Sequence, residues 1–171
     1  MGLLSGMSFR SDPPIANRLL HLKAKAAKAV PWTAQDRATV RSCFEKDDDI
    51  GVLAGCCVLV SGRTGEFPSA IEVVRRALQN KHPPPYVELS IYEALLYVEA
   101  EQLKSFVDGL LSFIGQSLSR RAINLDNTTF LLGRMARCGE ARALAVLRAL
   151  AQDTDTEVRE SASRLLNTGI A

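Results

Sequence analysis

Apolar residues along this chain recur at spacings of three and four, and the runs are broken by proline, glycine and a cluster of aspartates. That period is helical. Ile15, Leu19, Leu22, Ala26 and Ala29 form one stripe behind Pro13 and Pro14, which predicts a first helix over 13–30 that Pro31 ends. Thr33 suits the cap of a second helix, 33–45, with Val40, Cys43 and Phe44 inward. Further helices are expected over 50–61, 68–79, 86–99, 101–118, 123–137, 140–151 and 156–167. The fourth of these nine predicted stretches carries Ile71 and Val74, and the fifth carries Val87, Ile91, Leu95 and Val98. The sixth is expected as one uninterrupted helix bearing Leu103, Phe106, Leu110 and Phe113. Residues 52–60 are rich enough in valine and cysteine to form a buried strand. The flanking aspartates and a likeness to the last helix favour a helix there. Residues 1–12, with their Gly and Ser, read as a flexible lead-in to a single domain over 13–171.

That likeness extends over both ends of the chain. Asp47 aligns with Asp153, Asp49 with Asp155, Val52 with Val158, Cys56 with Ala162 and Leu59 with Leu165. Val52, Val87, Leu125 and Val158 recur at a drifting period of roughly 35 residues, the spacing of stacked helix pairs. Each such pair is an amphipathic hairpin that buries its apolar face only by stacking on a neighbour.

On these residues the chain resembles the HEAT-repeat (armadillo-like) family, most closely in the last pair. There Asp153 ends the turn, Val158 and Arg159 open the second helix, and Ala162 and Leu165 follow. Leu53 and Glu88 stand where the family pattern has arginine in the earlier pairs. The resemblance implies an all-α fold, a short right-handed α-solenoid of about four helix pairs over 33–62, 67–100, 101–139 and 140–169. The basic helix 13–30 would cap its N-terminal end. It also implies that Arg159 reaches the aspartate of a neighbouring repeat, and that Leu165 lies on the buried stripe.

At 171 residues the chain can bury a substantial single core. Its net charge of +2 is too small for a dedicated nucleic-acid binder. The charge is uneven: Arg10, Arg18, Lys23, Lys25 and Lys28 face only Asp12 in the first thirty residues, which leaves the rest slightly acidic. The four cysteines form no C-x-x-C pair, and Cys56–Cys57 lies in an apolar run, so reduced, buried thiols and a cytoplasmic setting are expected. No apolar run is long enough to span a membrane. Asp47–Asp49 reads as a helix cap rather than a cation loop, because the glycine and distal glutamate of such a loop are missing. No serine has a histidine near it and no glycine-rich phosphate loop occurs, so neither catalysis nor a cofactor is expected.

The reading that follows is a non-enzymatic interaction protein, an adaptor, assembly factor or toxin-neutralising immunity protein, that binds another protein on the concave face of its second helices. The candidate contact residues are Tyr92, Glu88, Asp126, Asn127, Arg134 and Arg159, the polar or aromatic positions of successive second helices. Tyr92, on the side opposite Val87 and Ile91, reads either as an exposed anchor for the partner or as ordinary packing. The alternative is a nucleic-acid-binding HEAT-like protein, including one that resembles the alkylpurine DNA glycosylases; a strongly positive concave face would favour it.

Overall fold

The computed structural model describes residues 13–28, 30–44, 46, 48–79, 83–119 and 125–170. The expected lead-in, 1–12, lies outside them, as does Asp47. The described residues form ten helices and no strand. They are α1 (Pro13–Ala27), α2 (Ala34–Phe44), α3 (Asp49–Val60), α4 (Ser69–Ala77), α5 (Pro85–Leu95), α6 (Ala100–Lys104), α7 (Val107–Ser119), α8 (Leu125–Arg137), α9 (Ala141–Leu150) and α10 (Thr156–Leu165).

The helix starts are set by local chemistry. Thr33 and Asp36 cap α2 reciprocally: Asp36 N donates to Thr33 Oγ1 at 3.1 Å, and Thr33 N donates to Asp36 Oδ2 at 2.8 Å. Proline opens α5, where its missing N–H costs nothing. Asp48 caps α3 by accepting from Ile50 N and Gly51 N, and Asp155 caps α10 by accepting from Glu157 N and Val158 N. Both caps therefore act on the N–H groups two and three residues ahead. This moves the expected repeat alignment by one residue, pairing Asp48 rather than Asp49 with Asp155. The buried pair Ala54–Gly55 then falls opposite the buried pair Ser161–Ala162.

The apolar run over 52–60 is helical because it lies at a crossroads. α3 packs against α1, α2, α4 and α5. Ten of its twelve residues are buried, so apolar side chains are tolerated all round and the run shows no clean helical stripe. Gly51 admits the preceding chain: a Cβ there would lie 2.1 Å from the carbonyl oxygen of Lys46. One cluster of the core joins α1, α2 and α3 through Leu19, Leu22, Trp32, Val40, Cys43 and Leu53. The larger cluster runs on from Leu78 through Tyr92, Phe113, Leu132 and Leu147 to Ala162.

Two boundaries differ from expectation. The stretch 101–118 is two helices, α6 and α7, broken where Ser105 N and Phe106 N bond to the carbonyls of Gln102 and Leu103. Ser105 Oγ also bonds back to Gln102 O at 2.7 Å, and Phe106 turns inward beneath Arg75. The fifth predicted helix stops at Leu95, where Leu96 N and Tyr97 N tighten to the carbonyls of Glu93 and Ala94, and Arg134 of α8 satisfies the carbonyls of Leu95, Leu96 and Val98.

The core stripe of α10 is Val158, Ser161, Ala162 and Leu166, and the expected Leu165 stands half-exposed beside it. Helices α3, α5, α8 and α10 are neighbours in that order, with α4 on α3, α6 on α8, and α9 against both α8 and α10.

Candidate protein-binding surface

Each of α5, α8 and α10 turns one stripe outward, although Glu93 and Leu96 on the first and Arg134 on the second are half-buried against neighbouring helices. On α5 and the turn after it, the stripe is Leu89, Glu93, Leu96 and Tyr97; on α8 it is Asp126, Phe130, Arg134 and Arg137; on α10 it is Glu157, Glu160 and Arg164. The three-to-four spacing is that of the solvent face of a surface helix. Two of these stripes carry large apolar side chains in water: Leu89 is 41% exposed, Tyr97 52% and Phe130 46%. Such residues on neighbouring helices are the ones a partner surface can dehydrate with gain.

α3 is different because α1 covers it. Ala16, Leu19 and Leu22 of α1 are buried in the shared cluster, and Cys57 Sγ donates to Leu19 O at 2.9 Å. α1 also reaches α5, since Lys23 pairs with Glu93 and lies 3.4 Å from Ser90 Oγ. Lys25 lies 3.7 Å from the Asp36 carboxylate on α2. Two of the basic residues of the expected helix 13–30, Lys23 and Lys25, are thus spent on pinning it to the body. Between α1 and α5 a cleft of about 270 Å3 remains, with Leu20, Ala24, Val60 and Leu96 in its walls and Tyr97 among its lining residues.

The six expected contact residues fall out unevenly. Tyr92 is 0% exposed, with its ring tilted against Phe113 of α7 at 5.3 Å between centroids. Of its two expected places it takes the packed one, facing inward between α5 and α7, so it is not an exposed anchor. Glu88 is buried and Asn127 half-buried. Arg134 is committed to the end of α5, donating to the carbonyl oxygens of Leu95, Leu96 and Val98 at 3.0, 2.8 and 2.6 Å. Arg159 bonds within its own turn, to Asp153 O at 2.8 Å and Thr156 Oγ1 at 3.1 Å, and among the described residues it reaches no aspartate carboxylate of a neighbouring helix pair. Asp126 alone of the six is exposed.

Leu89 and Phe130 were not anticipated. Their signal lay in phase: Leu89 falls two residues beyond Val87, off the Val87–Ile91–Leu95 stripe, and Phe130 falls off the Leu132–Met135 stripe.

Chemistry elsewhere is quiet. Burial pushes the Cys57 thiol up to about 12 and that of Cys56 higher still, so both are unreactive. Burial and then the neighbouring Asp49 carboxylate raise the Tyr86 phenol to about 12; its hydroxyl donates to Asp49 Oδ2 at 3.2 Å. A second cleft of about 300 Å3, lined by Leu103, Met135 and the half-buried Cys138, is rimmed by Arg142, which bridges Asp108 and Glu140 at 2.7 and 2.8 Å. Among the described residues no three His, Cys, Asp or Glu side chains gather to hold a metal ion, and no helix is long and apolar enough to cross a membrane. No protein-family model matches the chain, and no curated protein or solved structure gives a significant match.

Proposed function

We propose that the chain is a non-enzymatic protein-interaction module, built as a short right-handed solenoid of about four HEAT-like helix pairs. The neighbour order α3–α5–α8–α10 supports that reading, because second helices of successive pairs must touch in sequence. α1 then acts as the cap, and it closes the α3 part of the inner face. The partner is another protein, bound over α5 and α8.

The observation that carries this is the exposure of Leu89, Tyr97 and Phe130 on two successive second helices, beside the charged Glu93, Asp126 and Arg137. Apolar residues ringed by charges of both signs suit a protein surface. Glu93, Asp126 and Glu160 among these stripes disfavour a polyanion, so the nucleic-acid reading has no support of its own here. Adaptor, assembly factor and immunity protein all fit such a module, and its unpaired cysteines suit a reducing, cytoplasmic setting.

The test is affinity capture from native lysate followed by hydrogen-exchange footprinting of the purified pair. Slowed exchange in α5 and α8 supports the assignment. Protection confined to α1 or α4 would move the site elsewhere.

A further inference from the structure

A second surface lies on α2 and on the loop between α3 and α4, elements that the face above does not use. Three arginines converge there on one carboxylate. Arg37 Nε lies 2.9 Å from Glu66 Oε1, Arg63 Nη1 3.1 Å from Glu66 Oε2, and Arg41 Nη2 3.9 Å from Glu66 Oε1. The guanidiniums are held from behind by aromatic rings. Arg63 sits over Trp32 at 5.2 Å and Arg41 over Phe67 at 5.7 Å, and Phe67 in turn stacks on Phe44 at 5.9 Å. Arg37 is further fixed by a bond of 2.9 Å to Trp32 O.

This arrangement is ordered but unsaturated. A guanidinium has five N–H donors, and one carboxylate cannot satisfy three of them. Arg41 is the least engaged, with 67% of its side chain exposed. Three positive charges face one negative charge, so the cluster holds an excess of two. Two residues beyond Glu66 stands Pro68, the N-cap of α4, which gives that helix no side-chain cap, so its first N–H groups lie at the same end of the loop. Glu66 alone would suffice to tie α2 to the loop through Arg37. The two further arginines, pre-oriented on rings and partly exposed, present N–H pairs that an oxyanion such as a phosphate can accept.

We propose that the Arg37–Arg41–Arg63 cluster binds a phosphorylated side chain of a partner polypeptide. A phosphomonoester carries about −1.5 to −2 charges at neutral pH, which matches the local excess, and its oxygens accept from guanidiniums in pairs. A compact site with so small an excess fits one such group better than the extended backbone of a nucleic acid, which needs a long basic track.

Trp32 is the single tryptophan of the chain and lies beneath Arg63, so its fluorescence reads the site. The whole chain is titrated with a phosphoserine peptide flanked by glutamates, with the same peptide carrying serine, with inorganic phosphate, and with a single-stranded oligonucleotide. The phosphopeptide should bind saturably and at least about ten-fold tighter than the other three. Arg41→Gln should weaken it about five-fold, and Glu66→Gln, which raises the positive excess, should tighten it by a similar factor. Circular dichroism and melting confirm that each variant is folded; if Glu66→Gln does not fold, Arg41→Gln with Arg41→Lys as the partial rescue decides. Absence of saturable binding, equal binding of the serine peptide or of inorganic phosphate, tighter binding of the oligonucleotide, or indifference to Arg41→Gln would each overturn the proposal.

Discussion

The rings of Tyr92 and Phe113 meet at 5.3 Å and 51°, joining α5 to α7 inside the core. A tilted pair of this kind adds to the area that both rings bury. Tyr92→Ala should therefore destabilise the protein by about 3–5 kcal/mol, the usual cost of emptying a buried aromatic site. Urea unfolding measures this. A loss below about 1 kcal/mol would mean that the ring is not packed as described.

Arg134 closes the end of α5 from α8. Arg134→Met keeps most of the aliphatic packing but removes the three donors to Leu95, Leu96 and Val98. Bonds from a charged donor are worth more than neutral ones, so a loss of about 2 kcal/mol is expected. Amide exchange in residues 96–99 should speed up, while α10 stays unchanged. Unaltered exchange after α5 would remove Arg134 from this role.

In the last turn Asp155 is the cap and Asp153 the brace, since Asp153 Oδ1 accepts from Asp155 N at 2.9 Å. Asp155→Ala should cost about 1 kcal/mol, and Asp153→Ala less. Thermal melts of the two single variants decide the ranking; a larger effect at Asp153 would reverse the assignment.

Glu140 caps α9 by accepting from Arg142 N at 3.0 Å, and the Arg142 side chain bonds both of its carboxylate oxygens. Those bonds hold its pKa down to about 2, against an ordinary 4.5. A depressed carboxylate stabilises the fold above its unfolded pKa, and that contribution is lost as pH falls through the folded value. The first turn of α9 should thus stay capped near pH 5 and fray progressively between about pH 4.5 and 2. Carbon NMR of the Glu140 carboxyl would show this, and a midpoint near 4.5 would contradict it.

Most helices were legible in the sequence because their stripes are amphipathic and their ends are marked by proline, threonine or aspartate. The break at Ser105–Phe106 was not, since Leu103, Phe106 and Leu110 keep a helical spacing across it. The contact residues were the least legible. Tyr92, Glu88 and Arg134 are polar or aromatic, yet all three serve the interior: one fills the core, one is buried, and one closes a neighbouring helix end. A single sequence shows which residue departs from the apolar stripe, but not whether a neighbouring helix receives it. Leu89 and Phe130 depart in the opposite sense, as apolar residues out of phase, and that is the more useful sign of a contact surface.

On the reading proposed above, the face of α5 and α8 carries the partner. That assignment is tested by quantitative capture of the lysate partner by wild type, by Leu89→Ser combined with Phe130→Ser, and by Arg18→Gln on the solvent side of α1 combined with Lys28→Gln just beyond it. All four substituted residues are exposed, so each variant should melt close to wild type. Capture should fall about thirty-fold or more in the α5–α8 variant, as expected when central apolar contacts worth about 2 kcal/mol or more are lost. It should change little in the α1 variant. Undiminished capture by the folded α5–α8 variant, with loss in the α1 variant, would contradict the account.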